Sequence, residues 1–377
     1  MQLLHPGVAA AYMRHATFQA DRGAREARVW SFYRMGMDGK GGSNGLKAGD
    51  RVAEVRGRVE RSSVHRARFL DGMVELVPDG CVTFGKRVVD VRDLGCGNGE
   101  GKLEVEFADG TKVAVDAVVG CDGVKSRVRQ IVLDGEEQPE PVFTGKYAYR
   151  GLVPMNEAVE ALGELTAQNA HFHWGYDGHV LTFPIEHGET MNVVAFRTKM
   201  DGRWEHGSKW VLPGDRERMF KDFEGWGKDV QSILRMMRNS DIWALFDHPS
   251  ASTYYKDGIC LLGDAAHAST PHQGAGAGMA IEDAFILSRL IANMTHRDQL
   301  HAAFQAYDSV RRPRTQRLVT TSRDAACLYE FQKLGIGDDP EKLRADLEGR
   351  MKWVWDVDLN QHLAEAMEIF NNEVSKS

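Results

Sequence analysis

The clearest periodicity along the chain lies between Asp257 and Met294. A short apolar run, Ile259 to Leu262, has the length of a buried strand and is bounded by glycines. It leads into Gly263-Asp264, a loop holding Pro271 and His272, and the run Gly274-Ala275-Gly276-Ala277-Gly278. Beyond that run Ile281, Ala284, Phe285 and Ser288 recur at helical spacing, with Leu287, Leu290 and Ile291 widening the apolar face. The order is therefore strand, acid-bearing turn, glycine-rich loop and helix N-terminus. Such a construction suits a bound anionic or electron-rich group: glycines admit a close backbone approach, and free N–H groups at the helix start point outward. A carboxylate cannot neutralise a phosphate, so Asp264 is expected to accept hydrogen bonds from a sugar-like hydroxyl.

Upstream, Gly36, Gly39, Gly41, Gly42, Gly45 and Gly49 crowd a stretch without periodicity, which reads as loop. Ser62-Ser63 signals a helix cap, and Val64 to Leu70 is expected to form the first helical turns. Gly85 to Val91 and Leu103 to Phe107 read as strands, with Ala108-Asp109-Gly110-Thr111 turning into a further strand from Val113 to Val119. That last run enters Gly120-Cys121-Asp122-Gly123 ahead of a helix bearing Arg127 and Arg129, the pattern of a ligand-facing edge in a doubly wound sheet. From Lys146 to about Tyr255 short alternating runs predict an antiparallel sheet: Tyr147 to Val153, His171 to Trp174, His179 to Ile185 and Met191 to Arg197. Tyr176-Asp177-Gly178 and Glu186-His187-Gly188 are its clearest turns. Leu300 to Leu334 reads as helix, with Pro313 as a kink or helix start, and a final helix runs to Glu373. Trp353 and Trp355 are expected to pack rather than to touch a ligand.

Composition narrows the class without naming it. The 377 residues are 42% hydrophobic and 27% charged, as in an ordinary globular protein. A net charge of −7 gives no electrostatic reason to expect nucleic acid, and no apolar run approaches membrane-spanning length. Cys81, Cys96, Cys121, Cys260 and Cys327 are odd in number and widely spaced, which points to reduced thiols and a cytoplasmic setting. His267 and His272 lack an acid or cysteine at ligand spacing, so no metal is expected there.

The stretch GDAAHASTPHQGAGAGMAIEDAFIL resembles the second FAD motif of the class A flavin-dependent aromatic hydroxylases, and Arg350 to Asp356 with the helix to Glu373 resembles the tail of their fungal salicylate hydroxylase-like branch. The resemblance implies that Asp264 binds the ribityl chain and that Gly276 and Ala277 lie beside the isoalloxazine ring. GCDGVKSRVR resembles the family's DG motif, which would place Asp122 and Arg129 over the pyrophosphate and the nicotinamide path. Arg66, after His65, matches an FAD-contacting arginine, although Arg68 and Phe69 depart from the family's usual acid and leucine. Tyr147-Ala148-Tyr149-Arg150-Gly151-Leu152 resembles the segment carrying a catalytic arginine, which falls on Arg150, while Phe183 stands where some relatives carry a tyrosine.

The implied fold is α/β. A doubly wound FAD/NAD(P)-binding domain, incomplete at its N-terminus, would carry an inserted, mainly antiparallel substrate-binding sheet and a C-terminal helical segment. Residues 1–140 and 256–330 would form the FAD-binding parts, 141–255 the substrate domain and 331–377 the C-terminal helices. The implied activity is hydroxylation of a phenolic or aromatic-acid substrate such as salicylate. NAD(P)H would reduce FAD, and molecular oxygen would react through a flavin hydroperoxide. The family's opening strand–GxGxxG–helix has no counterpart before Gly36. This raises the alternative of an inactive relative kept as a binding or scaffold protein, with a parallel strand left unpaired and FAD held weakly. Oligomeric state is not legible.

Overall fold

The structure, a computed structural model, describes residues 1–19, 28–39, 45–57, 61–95, 103–135 and 140–376. Gly41, Gly42 and Cys96 lie outside the described residues. Its largest element is an eight-stranded sheet. In spatial order it runs Val211–Pro213, Ser240–Asp247, Val142–Pro154, Thr190–Thr198, Gly178–Ile185, His171–Gly175, Arg28–Met35 and Arg51–Gly57. Every neighbouring pair is antiparallel except His171–Gly175 with Arg28–Met35. The hairpin at Tyr176-Asp177-Gly178 turns through Asp177 at φ 57°, and that at Glu186-His187-Gly188 through three successive residues at positive φ. The four alternating runs expected between Tyr147 and Arg197 all form strands of this sheet.

Alternation divides those strands between two faces. Tyr147, Tyr149, Val153, Val180, Met191 and Val193 pack on the helices Met155–Leu162 and Lys228–Met236. The hydroxyls of Tyr147 and Tyr149 both donate to Asp222. The opposite face carries Tyr33, Phe172 and Trp174, which pack against Leu328 and Tyr329 at the end of the long helix Leu300–Tyr329.

A second body holds a parallel pair, Val118–Gly120 beside Ile259–Leu261, with Tyr255–Lys256 antiparallel on the outer side. Its core joins Leu261, Phe285, Ile286, Leu290, Phe304, Tyr307, Ala366 and Phe370, so three helices cover one side of the pair. Among the described residues no strand pairs with the other edge of Val118–Gly120, and Val119 is 38% exposed there. The architecture is the expected α/β arrangement with an added antiparallel sheet and C-terminal helices.

Several local expectations are corrected. Arg28–Met35 and Arg51–Gly57, counted by sequence with the FAD-binding part, belong to the large sheet. Val29, Ser31, Phe32, Tyr33 and Met35 are all buried, so this strand shows no alternation to read. Ser62–Val64 pairs with Ala16–Phe18 instead of starting a helix, and Ser63 Oγ donates to the Pro184 carbonyl instead of capping. The helix starts at Arg66. The expected strand from Val113 to Val119 is two strands in different sheets. Lys112–Val115 pairs with Leu103–Phe107, and the chain then crosses to the parallel pair, a change of partner that hydropathy does not record. Gly85, at φ 76°, turns ahead of a strand that begins at Val88. Pro313 lies within the long helix, neither starting nor ending it. On Gly276–Ala292, Ser288 and Ile291 face outward, and Met279, Asp283 and Ile286 complete the buried stripe.

Candidate functional site

Both acid-bearing turns leave the same end of the parallel pair. Leu261 is the register partner of Gly120, and Leu262 N–H donates to the Gly120 carbonyl, so Cys121-Asp122 and Gly263-Asp264 emerge side by side. This is the carboxyl end of adjacent parallel strands, where open α/β sheets hold ligands. Gly263 sits at φ 64°, and a side chain there would also press on Ala280 Cβ, so both backbone and packing demand glycine.

The turn is held from beneath by buried charge. Asp283, fully buried on the following helix, accepts from Gly263 N–H (3.1 Å), His267 Nε2 (2.5 Å) and Arg311 Nε (2.8 Å). Burial alone would raise its carboxyl, but His267 and Arg311 outweigh that and hold it below the usual range. Arg129 is also buried, not a surface charge, and its Nη1 and Nη2 donate to the carbonyls of Ala266 and Pro249. It thus ties the helix Arg127–Val132 to the Asp264 turn. Asp122 accepts from Ser126 Oγ and from the N–H groups of Arg127 and Val128, capping that helix.

Above this frame lies the surface a cofactor could use. Asp264 is exposed, and its carboxylate meets no described partner. Gly276 and Ala277 are the first residues of a 17-residue helix without a side-chain cap, so their N–H groups are open. A side chain at Gly278 would meet no protein atom, and one at Gly276 only Ser269 Oγ at 3.6 Å. The glycines here are therefore not required by packing within the chain, and they leave a bare ledge beside an unpartnered carboxylate. These features fit FAD: a polyol hydroxyl for Asp264, and an electron-rich ring edge for the helix N–H groups. Arg66 opens its helix with the side chain exposed.

A cavity of about 180 Å³ lies between this loop and the large sheet. Trp30, Tyr33, Phe172, Leu181, Tyr329 and Trp355 form apolar walls, with Pro271, His272, Gln273 and Arg61 adding polar groups. Trp355, expected only to pack, is part of this wall and lies 4.4 Å from Trp30. Both ring nitrogens of buried His272 lack a partner among the described residues, and desolvation pushes its pKa well below the ordinary value, so the ring is neutral. Behind it His179, 5.3 Å away ring to ring, hydrogen-bonds Glu330, which also receives Lys146 and Thr198. Burial opposes the Glu330 charge, yet the bond from His179 and the nearby Lys146 hold that carboxyl at about 2. His179, His272 and Glu330 stand close enough to resemble a metal triad, but the Lys146 ammonium already neutralises the carboxylate. Neither Lys146 nor Glu330 carries a motif. Only their meeting across 184 residues shows that they matter.

Arg150 is exposed on the sheet face shared with the cavity, its guanidinium 4.7 Å from the centre of the Trp243 ring. The register Arg150–Val194–Leu181 puts it two strands from the cavity wall. The four described cysteines are free thiols, and no described helix is long and apolar enough to cross a membrane.

Residues 229–322 match the family described as FAD binding domain. The chain is 40% identical over its whole length to 6-methylsalicylate 1-monooxygenase of Aspergillus terreus, covering 82% of that protein. It is 38% identical to a salicylate hydroxylase of Pseudomonas putida, over 90% of this chain and 77% of the other. A solved salicylate hydroxylase substrate complex superimposes with a TM-score of 0.83 at 34% identity, over 96% of this chain and 88% of the other.

Proposed function

Because the chain belongs to the FAD-dependent aromatic monooxygenases, the salicylate hydroxylase-like group, we propose that its substrate is a single-ring aromatic acid bound in the cavity beside His272. FAD is the cofactor and NAD(P)H the co-substrate of this class. The carrying observation is the cavity itself. At about 180 Å³ it exceeds only slightly the roughly 150 Å³ that holds a benzene ring. The proposal takes Asp264, Gly276, Ala277 and Arg66 as the FAD contacts, with Asp122 and Arg129 framing the pyrophosphate side, molecular oxygen as the second substrate and the cytoplasm as the setting.

When bound, FAD supplies the oxygen chemistry. This chain's part is to exclude water, hold the ring between aromatic walls and make it electron-rich. His272, neutral and without a described partner, can accept a hydrogen bond from a phenolic hydroxyl and so push electron density into the ring. His179 and Glu330 fix the charge behind it. Salicylate should stimulate NAD(P)H oxidation by the FAD-loaded protein and yield catechol. Stimulation by multi-ring phenols alone would overturn the reading.

Two variants test the residue assignments. Asp264→Ala removes a charge-assisted acceptor worth about 1.5–3 kcal/mol, so FAD should bind roughly one to two decades more weakly. Equal dissociation constants for wild type and variant would end that role. Arg150→Lys should keep the flavin spectrum but lose product if the planar fork orients the substrate. Unchanged turnover would leave Arg150 a surface residue packed on Trp243.

A further inference from the structure

Arg61 reaches the cavity from the segment just ahead of strand Ser62–Val64. Its Nη1 donates to the Trp30 carbonyl (3.0 Å) and to Ser31 Oγ, and its guanidinium lies 5.9 Å from the centre of the Phe183 ring. No described acid pairs with it, and Nε and Nη2 have no described acceptor. The other enclosed arginines have a counter-charge or backbone acceptors. Arg311 meets Asp283 and Glu282, Arg350 meets Asp324 and Asp346, and Arg129 meets backbone carbonyls. Arg61 is partly buried in the cavity wall, so a guanidinium without a described counter-charge there is open to an incoming group that supplies one. Among the described residues its surroundings offer no carboxylate, and desolvation lowers its pKa. The open side of a guanidinium fork matches a carboxylate with two parallel hydrogen bonds.

Resting on the reading of this cavity as the substrate site, we infer that Arg61 is its carboxylate receptor and the residue that makes the enzyme select aromatic acids over neutral phenols. The aromatic acid lies with its carboxylate on Nε and Nη2 of Arg61, its ring between the aromatic walls and its hydroxyl toward His272. Phe183 serves as the stacking floor of the guanidinium, which explains how an aromatic ring lacking a hydroxyl is used at that position.

The test is equilibrium binding to the FAD-loaded protein without NAD(P)H, read by flavin absorbance and calorimetry. The probes are salicylate, salicylamide and phenol. Wild type should prefer salicylate. Arg61→Met should lose about 10- to 100-fold in salicylate affinity while salicylamide stays within about threefold. Arg61→Lys, which keeps the charge without the fork, should fall between them and controls for a folding defect in the methionine variant. Equal losses for salicylate and salicylamide, or a loss of FAD retention in place of acid selectivity, would overturn the assignment. Wild type binding all three probes alike would refute Arg61 while leaving the cavity reading intact. Binding of none of them would refute both.

Discussion

Asp283→Asn should lower the unfolding free energy by about 3 kcal/mol and loosen the FAD turn with it. The side chain is fully buried and accepts three hydrogen bonds, from Gly263, His267 and Arg311. Removing one partner of a buried pair leaves the other charge stranded, at a cost of about 3–5 kcal/mol. The lower end applies because Arg311 keeps Glu282, 2.8 Å from Nη1. Asparagine preserves volume, so the loss reports charge and acceptor capacity, not a cavity. Urea unfolding should show a lower midpoint at unchanged slope. The weakened hold on the Gly263 N–H should also weaken FAD binding. A change under about 1 kcal/mol would mean that Arg311 and His267 find other partners without strain.

Thermal stability should fall as pH drops below about 6.5, well before carboxylates titrate. Five buried histidines carry the effect. Desolvation pushes His171 and His248 down to about 3 and His173 to about 4, and it lowers His179 and His272 as well. The sign follows from linkage: a histidine that stays neutral when folded but protonates when unfolded binds more protons in the unfolded state. Its contribution is complete above the unfolded value near 6.5 and is lost as pH falls toward the folded value. Each can contribute up to about 2 kcal/mol of destabilisation by pH 5. Glu330, held at about 2, adds a separate loss only below about 4.5. The melting temperature should therefore decline between pH 7 and 5, and His248→Gln should flatten the slope. A flat profile over that range would refute the account.

The proposed cofactor half of the site could be assigned from sequence because its chemistry is local. Asp264, Gly276 and Ala277 lie within one strand–turn–helix, and the roles proposed for them depend on spacing along the chain. The four central strands of the large sheet were legible from short β-branched and aromatic runs separated by tight turns, although three of them are buried on both faces. The N-terminal strand Arg28–Met35 was not, because no tight turn ties it to a neighbouring strand and its parallel partner begins only at His171. The cavity beside His272 and the charged groups behind it belong wholly to tertiary structure. Arg61, Phe172, His272, Tyr329 and Trp355 come from five separate segments, and none bears a motif for that meeting. Glu330 joins Lys146 and His179 only because the end of the long helix docks on the sheet. Docking decides the rest: desolvation keeps His272 neutral, and Arg61 lines the cavity without a described counter-charge. Those consequences arise when distant segments exclude water together, which spacing along the chain does not encode.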